Sequence, residues 1–477
     1  MIETDILIIG AGVVGASIAR ELSRYELQIL IVEKEVDVAF GTSKANSGIL
    51  HSGIHDLPGS LKAQLCVRGN TLYPKIVEEL NVSYKNNGQI IVARSPEELP
   101  ILKKLVQQGR TNGITGFSEL SKEELLQLEP NLSTNLAGGV FVESAGIVIP
   151  FDLVFALTEN AIANGVQLAI QTKVLNIVYD KKQFLVTTNR GIFKTKKIIN
   201  AAGLNGAKIA ALIGDDSITI HPRKGEEYIL DRKLEGLVKR TIFPLPSENS
   251  KGILIIPTTE GNIMLGPTAQ EVNDSTDLTT TAAGWQEIFP EVKSLMPSLK
   301  ATDLITSFAG LRASGNTDDF IIAHSPVSRQ FINVVGIDSP GLTAAPAIAE
   351  YVIELLQETG LQLKEKKVFN PYRRLIRMQT LTREEQEILM KKDPAYSRIV
   401  CRCEQISEGE IRAAIRRGAT TLDGVKLRTR SGMGRCQGGF CTQKIITLLC
   451  EELNILPWEV TKNGPGSEVL TRSLRNK

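Results

Sequence analysis

The sequence of 477 residues lacks any long hydrophobic run. Its longest apolar stretches, such as "ILIIG" and "ILIIP", have the length of β-strands and fall far short of the roughly 20 residues that a membrane span needs. This excludes a helix that crosses a bilayer. The chain opens directly on "IETDILIIGAG", without the basic and apolar regions and the cleavage site of a secretion signal. We therefore expect a cytoplasmic protein.

Aromatic residues are also scarce, at 5% of the chain, and the C-terminal part has few of them. That part is basic, because residues 371–477 carry 20 Lys and Arg against 12 Asp and Glu, whereas the whole chain carries 55 against 53. A solvated surface and a docking surface for an acidic partner or membrane lipid both fit this asymmetry. The scarcity of aromatic rings argues against stacking on nucleic acid. Peripheral membrane association stays open, and nucleic acid is not expected as a partner.

Only six cysteines are present, and four of them fall within 41 residues of the tail. In a cytosolic protein, such clustering favours metal or cluster ligation over disulfides. Cys401, Cys403, Cys436 and Cys441 supply four thiolates, which by count suit a tetrahedral zinc ion and an iron–sulfur cluster equally. Glycines around the second pair, in "SGMGRCQGGFC", allow tight turns and leave backbone N–H groups near the sulfurs. Cys66 and Cys450 read as core residues.

A dinucleotide-binding unit is predicted at the N-terminus. The pattern strand, turn, helix, strand begins at "DILIIG" and contains Gly10, Gly12 and Gly15, with Glu33 eighteen residues later. The glycines permit a tight turn, a close approach of the backbone to a pyrophosphate and close helix packing, and the helix N-terminus then faces the phosphates. Glu33 is expected to accept hydrogen bonds from ribose hydroxyls, which disfavours NADP but leaves FAD and NAD open.

The length predicts two or three domains. Strands of a different, antiparallel kind ("GEEYILDR", "GILIIPT", "NIMLGPT") separate the opening unit from a later strand, glycine turn and long helix. A nucleotide domain interleaved with a substrate domain accounts for this order. We expect nucleotide-binding parts at about 1–80, 145–215 and 330–365, a substrate domain at about 81–144 and 216–329, a connector at 366–397 and a cysteine domain at 398–477.

Several separated motifs carry a family resemblance over about residues 1–360. "GTSKANSGILHSGIHDLPGSLKAQLCVRG", "IINAAGLNG" and "VVGIDSPGLTAAPAIA" resemble, in this order, the FAD enzymes of the D-amino-acid-oxidase superfamily. The resemblance is closest to glycerol-3-phosphate oxidases and dehydrogenases and to L-2-hydroxyglutarate oxidases. It implies an α/β fold in which a Rossmann-like FAD-binding domain is interleaved with an α+β antiparallel-sheet substrate domain. A small, mainly helical, cysteine-rich C-terminal domain follows.

The resemblance also assigns FAD contacts to residues of this chain. The segment at 42–48 is expected to line the flavin ring, and the glycine turn at 336–343 to lead into a helix whose start faces it. Together with the glycine motif and Glu33, the expected cofactor-binding residues are Lys34, Thr42, Ser43, Asn46, Ser47, Gly48, Val174, Ala202, Gly203, Gly336, Gly341, Leu342 and Thr343.

Oxidation of a secondary alcohol by a flavin requires a base for the hydroxyl proton, and a histidine suits that task near neutral pH. The chain has only four histidines, and the resemblance points to His51 as the base. It also implies that Arg312 binds a carboxylate or phosphate of the substrate, that Lys251 contacts substrate, and that Ser339 lies near the flavin ring.

The tail, with "VCRCEQISEGEIRAAIRRG" and "RTRSGMGRCQGGFC", resembles the bacterioferritin-associated-ferredoxin-like domain, which implies a 2Fe–2S cluster on the four cysteines, with zinc as the alternative. The expected function is FAD-dependent oxidation of sn-glycerol 3-phosphate to dihydroxyacetone phosphate by hydride transfer to flavin N5, with electrons leaving through the cluster to a redox partner or a quinone-linked subunit. The alternatives are a dehydrogenase of L-2-hydroxyglutarate or a related 2-hydroxyacid, and a non-catalytic electron-transfer or sensor module.

Overall fold

The computed structural model describes residues 2–180, 182–246 and 252–471. Its first unit is built on an eight-stranded sheet with a parallel centre. The apolar strand "ILII" ends at the glycine motif, and its neighbours on both sides run parallel to it. The strands, in chain order, are Ile2–Ile9, Ile29–Val32, Gln167–Ala169, Val174–Tyr179, Phe184–Thr188, Gly191–Asn200, Ile321–His324 and Phe331–Val335.

Helices cover this sheet because their apolar faces are buried against it. Val13–Leu22 and Gly341–Glu358 pack together in one large core that also holds residues of Pro150–Ala163 and Leu61–Leu80. Gly206–Ala211 is a shorter helix at the same sheet. This unit contains an α/β nucleotide-binding arrangement, as the sequence predicts.

The second unit is a nine-stranded sheet in which antiparallel pairs dominate. Its strands are Gln89–Ala93, Phe117–Ser121, Gly138–Val142, Ile220–Leu230, Thr241–Phe243, Leu254–Pro257, Ile263–Gly266, Gln270–Glu271 and Leu304–Gly315. The helices of this unit are Leu99–Thr111, Lys122–Leu128 and Ala282–Leu295. A small sheet of Ile49–Leu50, Tyr84–Lys85 and Gly146–Val148 lies at the junction of the two units.

One strand lies elsewhere than the sequence places it. Ile321–His324, within the range expected for the substrate domain, pairs antiparallel with Phe331–Val335 of the first sheet. The reason is packing, since Phe320 and Ile322 are buried in the core of the first unit.

The C-terminal part forms its own small core of Val400, Ile411, Val425, Ile445, Leu449 and their neighbours. A hairpin of Ile399–Cys401 and Ile406–Ser407 precedes the helices Glu408–Arg416, Leu422–Thr429 and Thr442–Leu453. The Ser407 hydroxyl and the Glu410 carboxylate form a capping box that starts the first of these helices.

The connector contains one α-helix, Arg383–Lys392, which begins at a Thr382–Glu385 capping box. The 3₁₀ turns of the chain are Thr42–Lys44, Pro96–Glu98, Gly203–Asn205, Arg232–Leu234, Ala301–Asp303, Met378–Thr380, Pro394–Ser397 and Pro457–Glu459. Among the helices in the described ranges, none is both long enough and apolar enough to cross a membrane.

Candidate functional site

The glycine motif forms a cradle into which side chains do not fit. Gly10 has φ +105°, and a Cβ there would lie 2.4 Å from the Ala201 carbonyl oxygen. A Cβ on Gly15 would lie 2.0 Å from the Gly10 oxygen. Gly12 is the N-cap of the helix Val13–Leu22, so the N-terminus of this helix faces the same space. The turn therefore suits the pyrophosphate of a dinucleotide.

Glu33 lies against this turn. Its carboxylate accepts hydrogen bonds from the backbone N–H groups of Ala11 (2.8 Å) and Glu35 (2.9 Å). Burial raises the pKa of Glu33. Lys34 instead forms an ion pair with Glu35, and its side chain is 47% exposed. The structure thus brings Glu33, but not the Lys34 ammonium, to the glycine turn.

Ala202 and Gly203 lie on the other side of the turn, since a Cβ on Gly10 would come within 3.2 Å of the Ala202 Cα. Gly203 begins the 3₁₀ turn Gly203–Asn205 with φ +53°. Val174 is buried at the start of its strand, in the core that includes the end of the first strand.

The segment at 42–48 forms hydrogen bonds both with the first helix and with the second sheet. The Ser43 hydroxyl accepts a hydrogen bond of 2.9 Å from the N–H of Val13, and the Thr42 hydroxyl donates one of 2.6 Å to the Leu311 carbonyl. The Asn46 amide donates to the Ser43 carbonyl at 3.1 Å, and its oxygen accepts from the N–H of Gly48. This local bonding fixes the segment between the nucleotide turn and the second sheet.

His51 lies where this segment meets the start of the last helix of the first unit. Its Nε2 is 3.4 Å from the Ser339 hydroxyl, and its backbone N–H donates to the Thr343 hydroxyl at 2.9 Å. Ser339 precedes a cis proline, after which the helix Gly341–Glu358 begins. The structure therefore brings His51 to two predicted residues that lie nearly 300 positions further along the chain.

The rest of the glycine turn at 336–343 is built around the same helix start. Gly336 has φ +66°, and the Tyr73 hydroxyl donates to the Leu342 carbonyl. His55 stacks on Phe243, with ring centroids 5.4 Å apart, beside His51. His324 lies at a distance from this site, with Nδ1 2.8 Å from the Arg329 carbonyl.

Arg312 lies on the strand Leu304–Gly315, where its guanidinium extends over Gly225 and donates to the Thr268 carbonyl at 3.3 Å. Burial lowers the pKa of Arg312, and the charge of Glu227 acts in the opposite direction. Lys251, the other predicted cation, lies outside the described residues.

Glu227 is a residue of this site that the sequence analysis missed. Its side chain is buried on the strand Ile220–Leu230, and one carboxylate oxygen accepts a hydrogen bond of 2.8 Å from the Ser47 hydroxyl. Burial raises the pKa of Glu227 to about 7. The available signal was a second acidic residue, in "GEEYIL", within a strand that is otherwise apolar.

The four tail cysteines come together in two pairs. The Cys403 and Cys436 sulfurs are 3.5 Å apart, and the Cys441 thiol forms a hydrogen bond with Cys401. The nearby backbone N–H groups of Gly438, Gly439 and Phe440 contribute to lowering the pKa of the Cys436 thiol. Across the part of the chain that the structure describes, no three His, Cys, Asp or Glu side chains form a single ion-binding group. Two thiolates per iron hold a 2Fe–2S cluster and four thiolates hold a tetrahedral zinc ion, so the four sulfurs suit either group.

The remaining cysteines lie apart from these pairs. Cys66 is fully buried, with its sulfur 3.6 Å from the His51 carbonyl oxygen, and Cys450 packs against the core of the small domain.

Comparison with known proteins identifies both parts of the chain. Residues 5–355 match the family model described as FAD dependent oxidoreductase. The chain belongs to this family. Residues 399–451 match the BFD-like [2Fe-2S] binding domain. The expectations of an FAD enzyme fold, of FAD and of a 2Fe–2S cluster are therefore confirmed.

This FAD-dependent oxidoreductase is similar to glycerol 3-phosphate dehydrogenase of Caloramator mitchellensis, with 43% identity over 98% of both chains. It is 28% identical to L-2-hydroxyglutarate dehydrogenase of Indibacter alkaliphilus, over 74% of this chain and 98% of that one. Among solved structures, the FAD-bound, dithionite-reduced L-alpha-glycerophosphate oxidase of Mycoplasma pneumoniae superposes with a TM-score of 0.76. That structure is 33% identical and covers 79% of this chain and 100% of its own.

Proposed function

We propose that this oxidoreductase converts sn-glycerol 3-phosphate to dihydroxyacetone phosphate. The observation that carries the proposal is the contact of His51 with Ser339 and Thr343, at the start of the helix that we expect to face the flavin ring. The 43% identity with a glycerol 3-phosphate dehydrogenase over nearly the whole chain supports this choice of substrate.

His51 acts as the base that takes the proton of the substrate's secondary hydroxyl. Its backbone N–H bond to Thr343 and the contact of Nε2 with the Ser339 hydroxyl orient the ring. When bound, FAD accepts at its N5 atom the hydride that leaves the carbon bearing this hydroxyl. Loss of the proton and of the hydride together converts the alcohol into a ketone.

Arg312 binds the phosphate. Its planar guanidinium presents several N–H donors, which suit a phosphate with several acceptor oxygens. Within the described residues its own hydrogen bonds reach only the Thr268 carbonyl, at 3.3 and 3.5 Å. The assignment of Lys251 to the substrate remains a prediction.

FAD is held by the cradle of Gly10, Gly12 and Gly15 and by Glu33 on the ribose. The other residues expected to hold it are Thr42, Ser43, Asn46, Ser47, Gly48, Val174, Ala202, Gly203, Gly336, Gly341, Leu342 and Thr343. A contact of Lys34 with FAD has the weakest support, because its ammonium pairs with Glu35 at the surface.

The four tail cysteines hold the 2Fe–2S cluster, which supplies a one-electron exit toward a partner redox protein or a quinone-linked subunit. The exposure of Cys403 supports this exit, since an acceptor has to approach the cluster closely.

An anaerobic titration of the purified protein tests the proposal. Glycerol 3-phosphate should bleach the flavin absorbance and then the cluster bands, and L-2-hydroxyglutarate should do so far less efficiently. Saturable reduction by L-2-hydroxyglutarate alone would overturn the substrate. Rapid peroxide formation that matches turnover in air, with the cluster still oxidised, would overturn the electron exit.

A further inference from the structure

The strands Ile220–Leu230 and Leu304–Gly315 present one face to the segment at 42–48. In their antiparallel register Arg223 lies opposite Arg312, Gly225 opposite Gly310, and Glu227 opposite Phe308. Directly opposed residues, and residues two apart, point to the same side of a sheet. Arg312 and Glu227 therefore share a face and are separated by a pair of glycines.

The two glycines give this face its shape. A Cβ on Gly225 would lie 2.7 Å from the Arg312 Nη2, so the guanidinium extends over the glycine in the direction of Glu227. A Cβ on Gly310 would lie 1.9 Å from the Ala45 carbonyl oxygen. The segment at 42–48 thus covers the glycine pair closely, and the charged groups lie beside the residues expected to line the flavin.

Glu227 is only 3% exposed, yet half of its carboxylate is unpaired. Oε1 accepts from the Ser47 hydroxyl at 2.8 Å, whereas the buried Oε2 has no hydrogen-bond partner among the described residues. A buried acceptor without a donor destabilises the fold, and buried polar groups are therefore nearly always hydrogen-bonded, which indicates that Oε2 has a partner when the site is occupied.

The neighbouring Glu226 shows the contrast. It is also fully buried, but its carboxylate accepts from the Tyr228 hydroxyl (2.8 Å) and from the backbone N–H (2.8 Å) and hydroxyl (3.0 Å) of Thr281. Glu226 points to the other side of the strand and is satisfied by the fold itself. Of these two neighbours, it is Glu227 that directs a free acceptor toward Ser47 and Arg312.

We propose that Glu227 is a substrate-binding residue that selects for a terminal hydroxyl: its free oxygen accepts a hydrogen bond from the primary hydroxyl of glycerol 3-phosphate while Arg312 binds the phosphate. This inference rests on the function proposed above. At a pH above about 7, where Glu227 is ionised, a substrate that carries a carboxylate in place of this hydroxyl brings a second acceptor and a second negative charge against Glu227. Glu227 therefore disfavours the binding of 2-hydroxyacids and favours the binding of the polyol phosphate.

Two variants and a matched control test this assignment. Glu227→Met removes the acceptor, Glu227→Gln removes the charge while keeping the shape, and Glu226→Gln makes the same change in the buried neighbour. Each protein is purified with its flavin, and flavin absorbance and complete bleaching by dithionite establish that the site is intact. The readout is kcat/KM for three substrates: glycerol 3-phosphate, propane-1,2-diol 1-phosphate, which lacks only the primary hydroxyl, and L-2-hydroxyglutarate.

The unchanged protein should prefer glycerol 3-phosphate over propane-1,2-diol 1-phosphate by roughly 10⁴-fold, as sites built to bind a hydroxyl do. Glu227→Met should reduce that preference at least about 100-fold, and Glu227→Gln should raise the relative activity on L-2-hydroxyglutarate about 10-fold or more. Glu226→Gln should leave both ratios unchanged. A merely structural effect of Glu227 would lower activity on all three substrates alike.

The outcomes separate the inference from the proposed function. If the unchanged protein prefers glycerol 3-phosphate and both Glu227 variants show the same kcat/KM ratios between the three substrates, the inference fails and the proposed function stands. If the unchanged protein oxidises L-2-hydroxyglutarate and not glycerol 3-phosphate, both fail. If Glu227→Met loses its flavin, Glu227→Gln tests the inference alone. An unchanged ratio of kcat/KM for L-2-hydroxyglutarate to kcat/KM for glycerol 3-phosphate in that variant would then overturn it.

Discussion

The proposed substrate pocket and the cysteine site differ most in their exposure to water. In the proposed pocket, Glu227 is 3% exposed and Arg312 lies over a glycine beside the segment at 42–48. At the cysteine site, Cys403 is exposed, and Phe440, next to Cys441, is 84% exposed. Proton and hydride transfer gain from a dry, fixed environment. Electron transfer to a second protein needs an exposed surface. Substrate oxidation therefore favours a buried site, whereas electron exit favours an exposed one.

A buried ion-pair network joins the small domain to the first unit. Arg428, on the last helix before the second cysteine pair, forms a two-pronged pair with Asp37 and lies 3.9 Å above the Phe155 ring. Asp37 lies between Glu33 and the segment at 42–48. The connector is fastened nearby, because Arg373 contacts Asp152 (3.2 Å) and Glu159 (2.7 Å). The small domain is thus anchored to the first unit close to the glycine motif and the segment at 42–48.

The sharpest way to separate the two regions is Cys436→Ser, for which we expect the largest effect. Replacing one of four thiolates should abolish the cluster, so its visible absorbance and the signal of its reduced form in electron paramagnetic resonance should disappear. Flavin content and flavin reduction by glycerol 3-phosphate should remain. Cys450→Ser, in the same small domain but outside the pairs, is the control and should keep the cluster. An intact cluster in Cys436→Ser would refute the ligand assignment.

His51→Asn, in contrast to Cys436→Ser, should affect the proposed substrate pocket and leave the cysteine site unchanged. Without the base, flavin reduction by glycerol 3-phosphate in stopped-flow measurements should slow by about 10²–10⁴-fold, whereas the cluster absorbance should not change. His324→Asn provides the matched control, because that imidazole contacts Arg329 and Glu358 away from the site. Flavin reduction at an unchanged rate would remove His51 from the mechanism.

The sequence predicts the local parts of these sites far better than the long-range ones. The Gly10 turn and Glu33 follow from spacing along a single βαβ unit, and the four cysteines follow from their clustering. Glu227 was missed because its partner Ser47 is 180 positions away, and strand alternation alone does not say which of two adjacent acids meets the pocket. The pairing of Cys403 with Cys436 likewise depends on the fold of the whole small domain.

Removing the Arg428–Asp37 ion pair should have an intermediate effect, on both the stability of the protein and electron transfer between flavin and cluster. Arg428→Met leaves Asp37 buried without its main cation, which should lower the free energy of unfolding by about 3–5 kcal/mol. Urea unfolding followed by cluster absorbance measures this loss, and electron transfer from reduced flavin to cluster should slow as the small domain becomes less fixed. The double variant Asp37→Asn with Arg428→Met should recover part of the stability. Lys462→Met, which removes an exposed pair with Asp423, should have little effect, and an equal loss there would contradict a special contribution of Arg428.

The smallest expected effect concerns the acid stability of the cysteine domain. The side-chain hydrogen bond from Arg398, with help from Arg412, lowers the pKa of Glu408 from 4.5 to about 2. Because the folded-state pKa is depressed, this carboxylate stabilises the fold fully above about pH 4.5, and its contribution is lost as the pH falls toward 2. Arg398 is more than half exposed, so solvent screens the interaction. Glu408→Gln should therefore lower the melting midpoint by about 2 °C or less at pH 7, and the difference should vanish near pH 2. A difference that persists or grows at low pH would show that the substitution acts through packing rather than through the charge of Glu408.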